Sequence, residues 1–390
     1  MTRIRLLPLC IGTFLFFSMS SITASQISLG IAVLLWLIRL IRRQDRLEFP
    51  GFFWALLAYA GLSLMACIFS FNPEESFRDS RELLLLLIIP LVTTAFLRKR
   101  TLERTHLSLL ASGIISLLYS LYLFAFHSSP GERIAGFMGH YMTQAGLLVI
   151  FGCTALSFFL FQRKRLRFVW GAAFGLAGMA LMLTLTRSAW VGMFVGTAVL
   201  IWLYKPKVLV LLPFLLGLFI IAAPAQIRRR AVSIFDLNNA TNHQRIEYIR
   251  GGMKVVRNYP LFGTGPNMVN IEIKRDKYGL SEEAKPLAVH LHNNLIQIAA
   301  ERGIPALLAW LSFFLLTAGA LIKRLKIEDP ESRPLTAAAL AALFAFFAAG
   351  LFEYNFGDSE VAALFLYVIT IPFAQERVLR LQETAPESHE

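Results

Sequence analysis

Between residues 4 and 374 the chain returns repeatedly to apolar stretches of bilayer-crossing length, and nothing else in it constrains the fold as strongly. A helix needs roughly 20 consecutive apolar residues to cross the hydrocarbon core. Such stretches lie approximately at 4–22, 26–41, 51–70, 82–97, 106–126, 140–161, 168–186, 188–204, 208–224, 303–322, 335–352 and 360–374. In lipid every backbone N–H and C=O must be satisfied within the protein, which leaves helices or a closed barrel. No two-residue alternation is sustained, and this argues against the barrel. The expected fold is an all-α integral membrane protein with about 12 transmembrane helices. Composition agrees: 56% of residues are hydrophobic and only 16% charged, less charge than a soluble domain carries. Arg3 and Arg5 ahead of the first stretch imitate a signal peptide; the spans that follow favour an uncleaved first helix.

Positive charge orients the spans. Lys and Arg gather in cytoplasmic loops. With the N-terminus inside, the inside segments hold 22 of the 38 basic residues. The short outside loops hold Arg78, Arg81, Arg133 and Arg187. Both termini are therefore expected inside. The long polar interruption at 225–287 is expected outside, as one large loop containing amphipathic helices. It divides the chain into a bundle of about nine spans (1–224), the loop (225–287), and a returning helix with the last three spans (288–390), all within one integrated domain. The net charge of +13 is read as a topology signal rather than a nucleic-acid footprint. Cys10, Cys67 and Cys153 sit in apolar runs with no metal spacing and imply no disulfide framework. There is no internal repeat, P-loop or Gly-rich dinucleotide motif, which argues against a nucleotide-driven pump. No cofactor is expected.

Several polar residues collect at the outer face. Arg187, in Leu185-Thr186-Arg187-Ser188-Ala189-Trp190, is a lone charge in a very short turn between two apolar runs. An arginine there either snorkels to the interface or faces an anion. Arg228-Arg229-Arg230 reads as a headgroup anchor. Asn242 is a plausible N-cap for a helix with Ile246, Ile249, Met253 and Val256 as its apolar stripe, lying across the top of the bundle. Arg245 falls in its first turn. Asn258-Tyr259-Pro260 ends that helix, Gly263-Thr264-Gly265-Pro266 makes a tight loop, and residues 274–285 read as solvated surface. His290, Asn294, Gln297 and Glu301 form a polar stripe at helical spacing; if the helix starts at about Asn293, His292 sits at its mouth. Two histidines at i, i+2 with no carboxylate or thiolate set are a poor zinc site. Arg133, followed by His140 and Tyr141, and the polar loops at 72–81 and 353–360 are further cavity candidates.

These residues carry a resemblance. The Arg187 turn is similar to the threonine/serine-arginine turn of the bacterial O-antigen ligase family, within the O-antigen polymerase and ligase superfamily. Arg245-Ile246-Glu247-Tyr248 through Asn258-Tyr259-Pro260-Leu261-Phe262-Gly263 resembles a stretch of that family's large periplasmic loop. His292-Asn293-Asn294-Leu295 through Glu301-Arg302-Gly303-Ile304 resembles its His-Asn signature, with Gly eleven positions after the His. Val289-His290-Leu291-His292-Asn293 is like the form in enterobacterial ligases, and a single large loop favours ligase over polymerase. Residues 353–360 have no clear counterpart in the family pattern.

The resemblance implies a multi-pass protein of the Gram-negative inner membrane with its active site facing the periplasm. The implied activity is transfer of a glycan from undecaprenyl diphosphate to a sugar hydroxyl of lipid A–core in lipopolysaccharide biosynthesis. Diphosphate is a good leaving group, so the transition state chiefly needs cations at the departing oxygens, and arginine suits them. Arg187 and Arg245 are the expected catalytic cations, and His292 the general base, with His290 in reserve. His290, Asn293 and Arg133 are expected to contact substrate. Attack opposite the diphosphate inverts the anomeric centre, and the transfer is expected to need neither metal nor ATP. Besides the polysaccharide donor and the lipid A–core acceptor, membrane lipids are the expected partners. An O-antigen polymerase or a protein O-oligosaccharyltransferase is the nearest alternative; a polytopic transporter or flippase is the alternative of another class.

Overall fold

The computed structural model describes residues 6–129, 131–234, 236, 239–327 and 330–383; Arg3 and Arg5 lie outside them. No strand occurs among the described residues. The helices are α1 (Leu6–Phe17), α2 (Ile22–Ile41), α3 (Phe53–Ile68), α4 (Pro73–Asp79), α5 (Ile88–Ala95), α6 (Lys99–Phe126), α7 (Tyr141–Phe161), α8 (Arg167–Leu183), α9 (Arg187–Tyr204), α10 (Leu212–Ala222), α11 (Ala225–Val232), α12 (Ala240–Asn258), α13 (Val269–Glu272), α14 (Asn294–Ile327), α15 (Arg333–Gly350) and α16 (Ser359–Glu383).

Among the described residues, 7 helices have the length and apolar composition to cross a membrane: α2, α6, α7, α9, α14, α15 and α16. Three shorter apolar helices, α1, α3 and α8, accompany them. Two of the twelve expected stretches are broken by 3-10 geometry, over Ser80–Leu87 before α5 and over Pro206–Leu211 before α10. A 3-10 segment has poorer hydrogen-bond geometry and is used in short pieces, so each stretch yields a short helix instead of one full-length span.

Small residues bring the central helices together. In α9, a Cβ on Gly192 would lie 2.8 Å from the Ala345 carbonyl oxygen of α15, and one on Gly196 would lie 2.4 Å from Cys153 Sγ of α7. This Gly-x-x-x-Gly face, opposite the alanine-rich face of α15, permits backbone approach where bulkier residues would hold the helices apart. Because α9 begins at Arg187 and α15 ends just before Glu353, their close packing brings those two residues to the same end of the bundle.

The polar segment at 225–287 contributes Tyr248, Val255, Val269, Ile273, Tyr278, Leu280 and Ala284 to a second small core, which Ala288, Leu291 and Ala300 of α14 and its approach complete. Three local expectations change here. The cap of α12 is Asn239, whose side chain accepts from Thr241 N, whereas Asn242 donates to the carbonyls of Ser233 (2.9 Å) and Asp236 (2.7 Å). The buried face of α12 is Tyr248, Gly251, Gly252 and Val255, while Met253 of the expected stripe is 42% exposed. The glycines decide this: a Cβ on Gly252 would meet Ile296 at 2.5 Å and one on Gly251 would meet Leu280 at 2.8 Å. The stretch at 274–285, expected as solvated surface, contributes buried Tyr278, Leu280 and Ala284. Fully buried Glu272 supports it by accepting from Tyr278 Oη at 2.6 Å and pairing with Lys277 at 2.9 Å.

Candidate functional site

The starts of α7, α9, α14 and α16 and the ends of α8 and α15 meet at one end of the bundle, where α12 packs against α14. The site is built from the short segments between them.

His292 precedes the first residue of α14, Asn294, and has φ 50°, left-handed for a non-glycine residue. Its neighbours hold it there. Leu291 N donates to Gln297 Oε1 at 2.7 Å, and Asn293 Oδ1 accepts from Ile296 N at 3.0 Å, capping the helix. Asn293 Nδ2 donates to the Leu351 carbonyl at 2.8 Å, so both ends of this amide serve the protein framework. The imidazole lies against Tyr248 of α12, centroids 6.0 Å apart and planes at 24°. Its Nδ1 is 2.9 Å from Glu353 Oε1.

Glu353 follows α15 by three residues and joins two of the expected residues. Its Oε2 lies 3.6 Å from Arg245 Nη2, an ion pair too long for a hydrogen bond. Burial opposes ionisation of Glu353. The His292 hydrogen bond, the charges of His292 and Arg245 and the Tyr354 N–H outweigh it and hold the carboxyl below the ordinary glutamate value. His290 stands beside the pair, its ring 5.4 Å from that of Tyr354, and burial followed by the charge of His292 pushes its pKa down.

Arg187 opens α9 and is 5% exposed. Its Nη1 donates to the Ser233 carbonyl at 2.8 Å and to Ser233 Oγ at 3.1 Å, whereas Nη2 is buried with no hydrogen-bond partner. Two further arginines brace the preceding turn, in which Leu185 has φ 50°. Arg133 Nε donates to the Thr184 carbonyl at 3.1 Å and Nη2 to the Leu185 carbonyl at 3.0 Å, with its guanidinium carbon 3.5 Å from the Tyr141 ring centroid. Arg230 Nε donates to the same Leu185 carbonyl at 3.2 Å. A small cavity of about 30 Å³ is lined by Thr186 and Ser188 on one side and Glu353 and Asn355 on the other, joining the Arg187 turn to the His292–Glu353 pair.

The electrostatics follow from crowding. Burial is the largest influence lowering the pKa of Arg133 and of Arg245, and Arg230 acts on both in the same direction. The arginines remain charged at neutral pH. A partly buried cluster of four guanidiniums touched by one carboxylate holds an excess of positive charge, which suits a polyanion carrying several acceptor oxygens.

The sequence alone gives no role to Glu353, Arg230 or Tyr248, although the 353–360 loop that carries Glu353 is one of its cavity candidates. Glu353 sits in a polar loop whose spacing relates it to nothing else in the chain. Arg230 is the last of a basic run that resembles an ordinary headgroup anchor. Tyr248 stands one turn beyond Arg245 in the patch that resembles the family's periplasmic loop, with nothing that sets it apart from its neighbours there.

Residues 172–311 match the family model described as O-antigen ligase. The matched span contains Arg187, Arg230, Arg245, His290, His292 and Asn293, while Arg133 and Glu353 lie outside it. No curated protein matches the chain.

Proposed function

We propose, from the match of residues 172–311 to the O-antigen ligase family model, that the chain is a glycosyltransferase moving a polysaccharide from undecaprenyl diphosphate to a sugar hydroxyl of lipid A–core. The observation that carries the reading is the chain of contacts Arg245–Glu353–His292, with Glu353 across a small cavity from Thr186 and Ser188, the chain neighbours of Arg187. The acceptor oxygen forms a bond to the anomeric carbon while the bond from that carbon to the diphosphate oxygen breaks. The hydroxyl proton passes to His292 Nε2, and the electron pair leaves with the diphosphate. With Nδ1–H donating to Glu353, Nε2 carries the lone pair, and the carboxylate stabilises the imidazolium that forms.

Arg187 and Arg245 stabilise charge on the departing diphosphate, the former through its unpartnered Nη2. Arg133 and Arg230 fix the turn that presents Arg187 and add to the positive field. His290 is assigned to substrate contact. Asn293 sets the helix mouth that presents His292. These arginines supply the charge stabilisation, and the proposed transfer uses no metal. The site faces the periplasm of a Gram-negative inner membrane, in keeping with the basic clusters at the other bundle end, including Arg163 to Arg167 and Lys323 to Arg333.

The test uses purified full-length protein with labelled undecaprenyl-diphosphate glycan and lipid A–core. His292→Ala is expected to lose transfer while retaining donor binding, and Arg187→Ala to lose both. Normal transfer by both variants would overturn the site. Elongation of the glycan without lipid A–core would overturn the ligase reading in favour of a polymerase.

A further inference from the structure

We propose that a groove between α1 and α6, at the bundle end opposite His292, is a binding site for an anionic glycerophospholipid. α6 runs 28 residues from Lys99, at about 1.5 Å per residue, before the chain reaches Arg133 at the site, so its start lies a membrane thickness away. The groove encloses about 860 Å³. Arg98, Arg100 and Arg104 stand at its rim and Leu9, Phe16 and Leu97 along its wall. α1 and α6 approach each other beneath it, where a Cβ on Gly12 would lie 3.5 Å from Ser108 Oγ.

Two observations select the occupant. The first is charge. All three arginines are exposed; among the described residues none has a hydrogen-bond or ion-pair partner for its side chain, and no carboxylate lines the groove. The nearby acids are engaged elsewhere: Glu103 pairs with Lys164 at 3.6 Å, and Glu331 pairs with Lys99. The second is amphipathy. Leu9 is 63% exposed and Phe16 36% exposed along the same groove, apolar surface that a free phosphate ion leaves uncovered. Basic pockets between helices at a membrane face hold phospholipid headgroups. Here the phosphate seats among the guanidiniums and an acyl chain lies along Leu9, Phe16 and Leu97. The site is separate from glycan transfer and does not rest on it.

The experiment is native mass spectrometry of detergent-purified full-length protein, titrated with dioleoylphosphatidylglycerol or dioleoylphosphatidylethanolamine. Wild type is expected to retain the phosphatidylglycerol adduct in preference by on the order of tenfold. Arg98→Gln/Arg100→Gln/Arg104→Gln is expected to lose that preference, whereas Arg163→Gln/Lys164→Gln/Arg165→Gln keeps it. Leu9→Trp, which retains every charge and narrows the groove, is expected to weaken the adduct, so the proposal stays testable if the triple arginine variant does not fold. Equal binding of the two lipids, equal loss in both triple variants, or displacement by millimolar inorganic phosphate would overturn it.

Discussion

Glu353 and His292, 61 positions apart in the chain, meet at 2.9 Å between Oε1 and Nδ1, and the other oxygen of the same carboxylate faces Arg245. A carboxylate on one imidazole nitrogen sets which nitrogen is left to take a proton. Replacing Glu353 with Gln removes the charge and keeps the shape. The expected loss of transfer rate is about 10²–10⁴-fold with donor binding largely retained. Initial rates and donor binding on the same preparation check this; an unchanged rate would leave Glu353 with a purely structural role.

The same pair makes stability depend on pH. The Glu353 carboxyl is held below its ordinary value in the folded protein. Its contribution is therefore fully present above the unfolded value of about 4.3 and is lost as pH falls through the lower folded value. Thermal unfolding of wild type and Glu353→Gln in detergent is expected to show a constant difference above about pH 5 that shrinks on further acidification. A difference that grows toward acid would contradict the assignment.

Arg187 divides its fork between Ser233, through Nη1, and the unpartnered Nη2. Lysine keeps the charge but lacks the planar fork that does both. Arg187→Lys is expected to reduce transfer by about 10²–10³-fold with an unfolding temperature close to that of wild type. A rate within a few-fold of wild type would show that charge alone suffices there.

Gly303 interrupts α14 with φ 84° and ψ 169°, and a Cβ there would lie 2.0 Å from the Leu261 carbonyl oxygen. The kink seats the 260–265 loop against α14, with Thr264 N donating to the Ala300 carbonyl at 2.9 Å and Gly265 N to the Glu301 carbonyl at 2.9 Å. Gly303→Ala is expected to cost at least about 1–3 kcal/mol from backbone strain alone, read as a lowered unfolding temperature. An unchanged temperature would mean that the loop shifts freely.

The class of this protein is legible along the chain because bilayer crossing is a local requirement: a run of apolar residues is either long enough or not. The helical fold, the Arg187 turn and the start of α14 near His292 follow from such local signals. What the chain does not display is pairing across distance. Arg230 reaches the Leu185 carbonyl across 45 positions of chain, and Glu353 reaches His292 and Arg245 where small residues on α9 and α15 let those helices close on each other and the glycines of α12 let it press against the mouth of α14. Burial and charge pairing depend on that packing, and packing is a property of the whole bundle. Local composition could therefore mark the arginines and histidines, while only the tertiary structure decided which carboxylate they share.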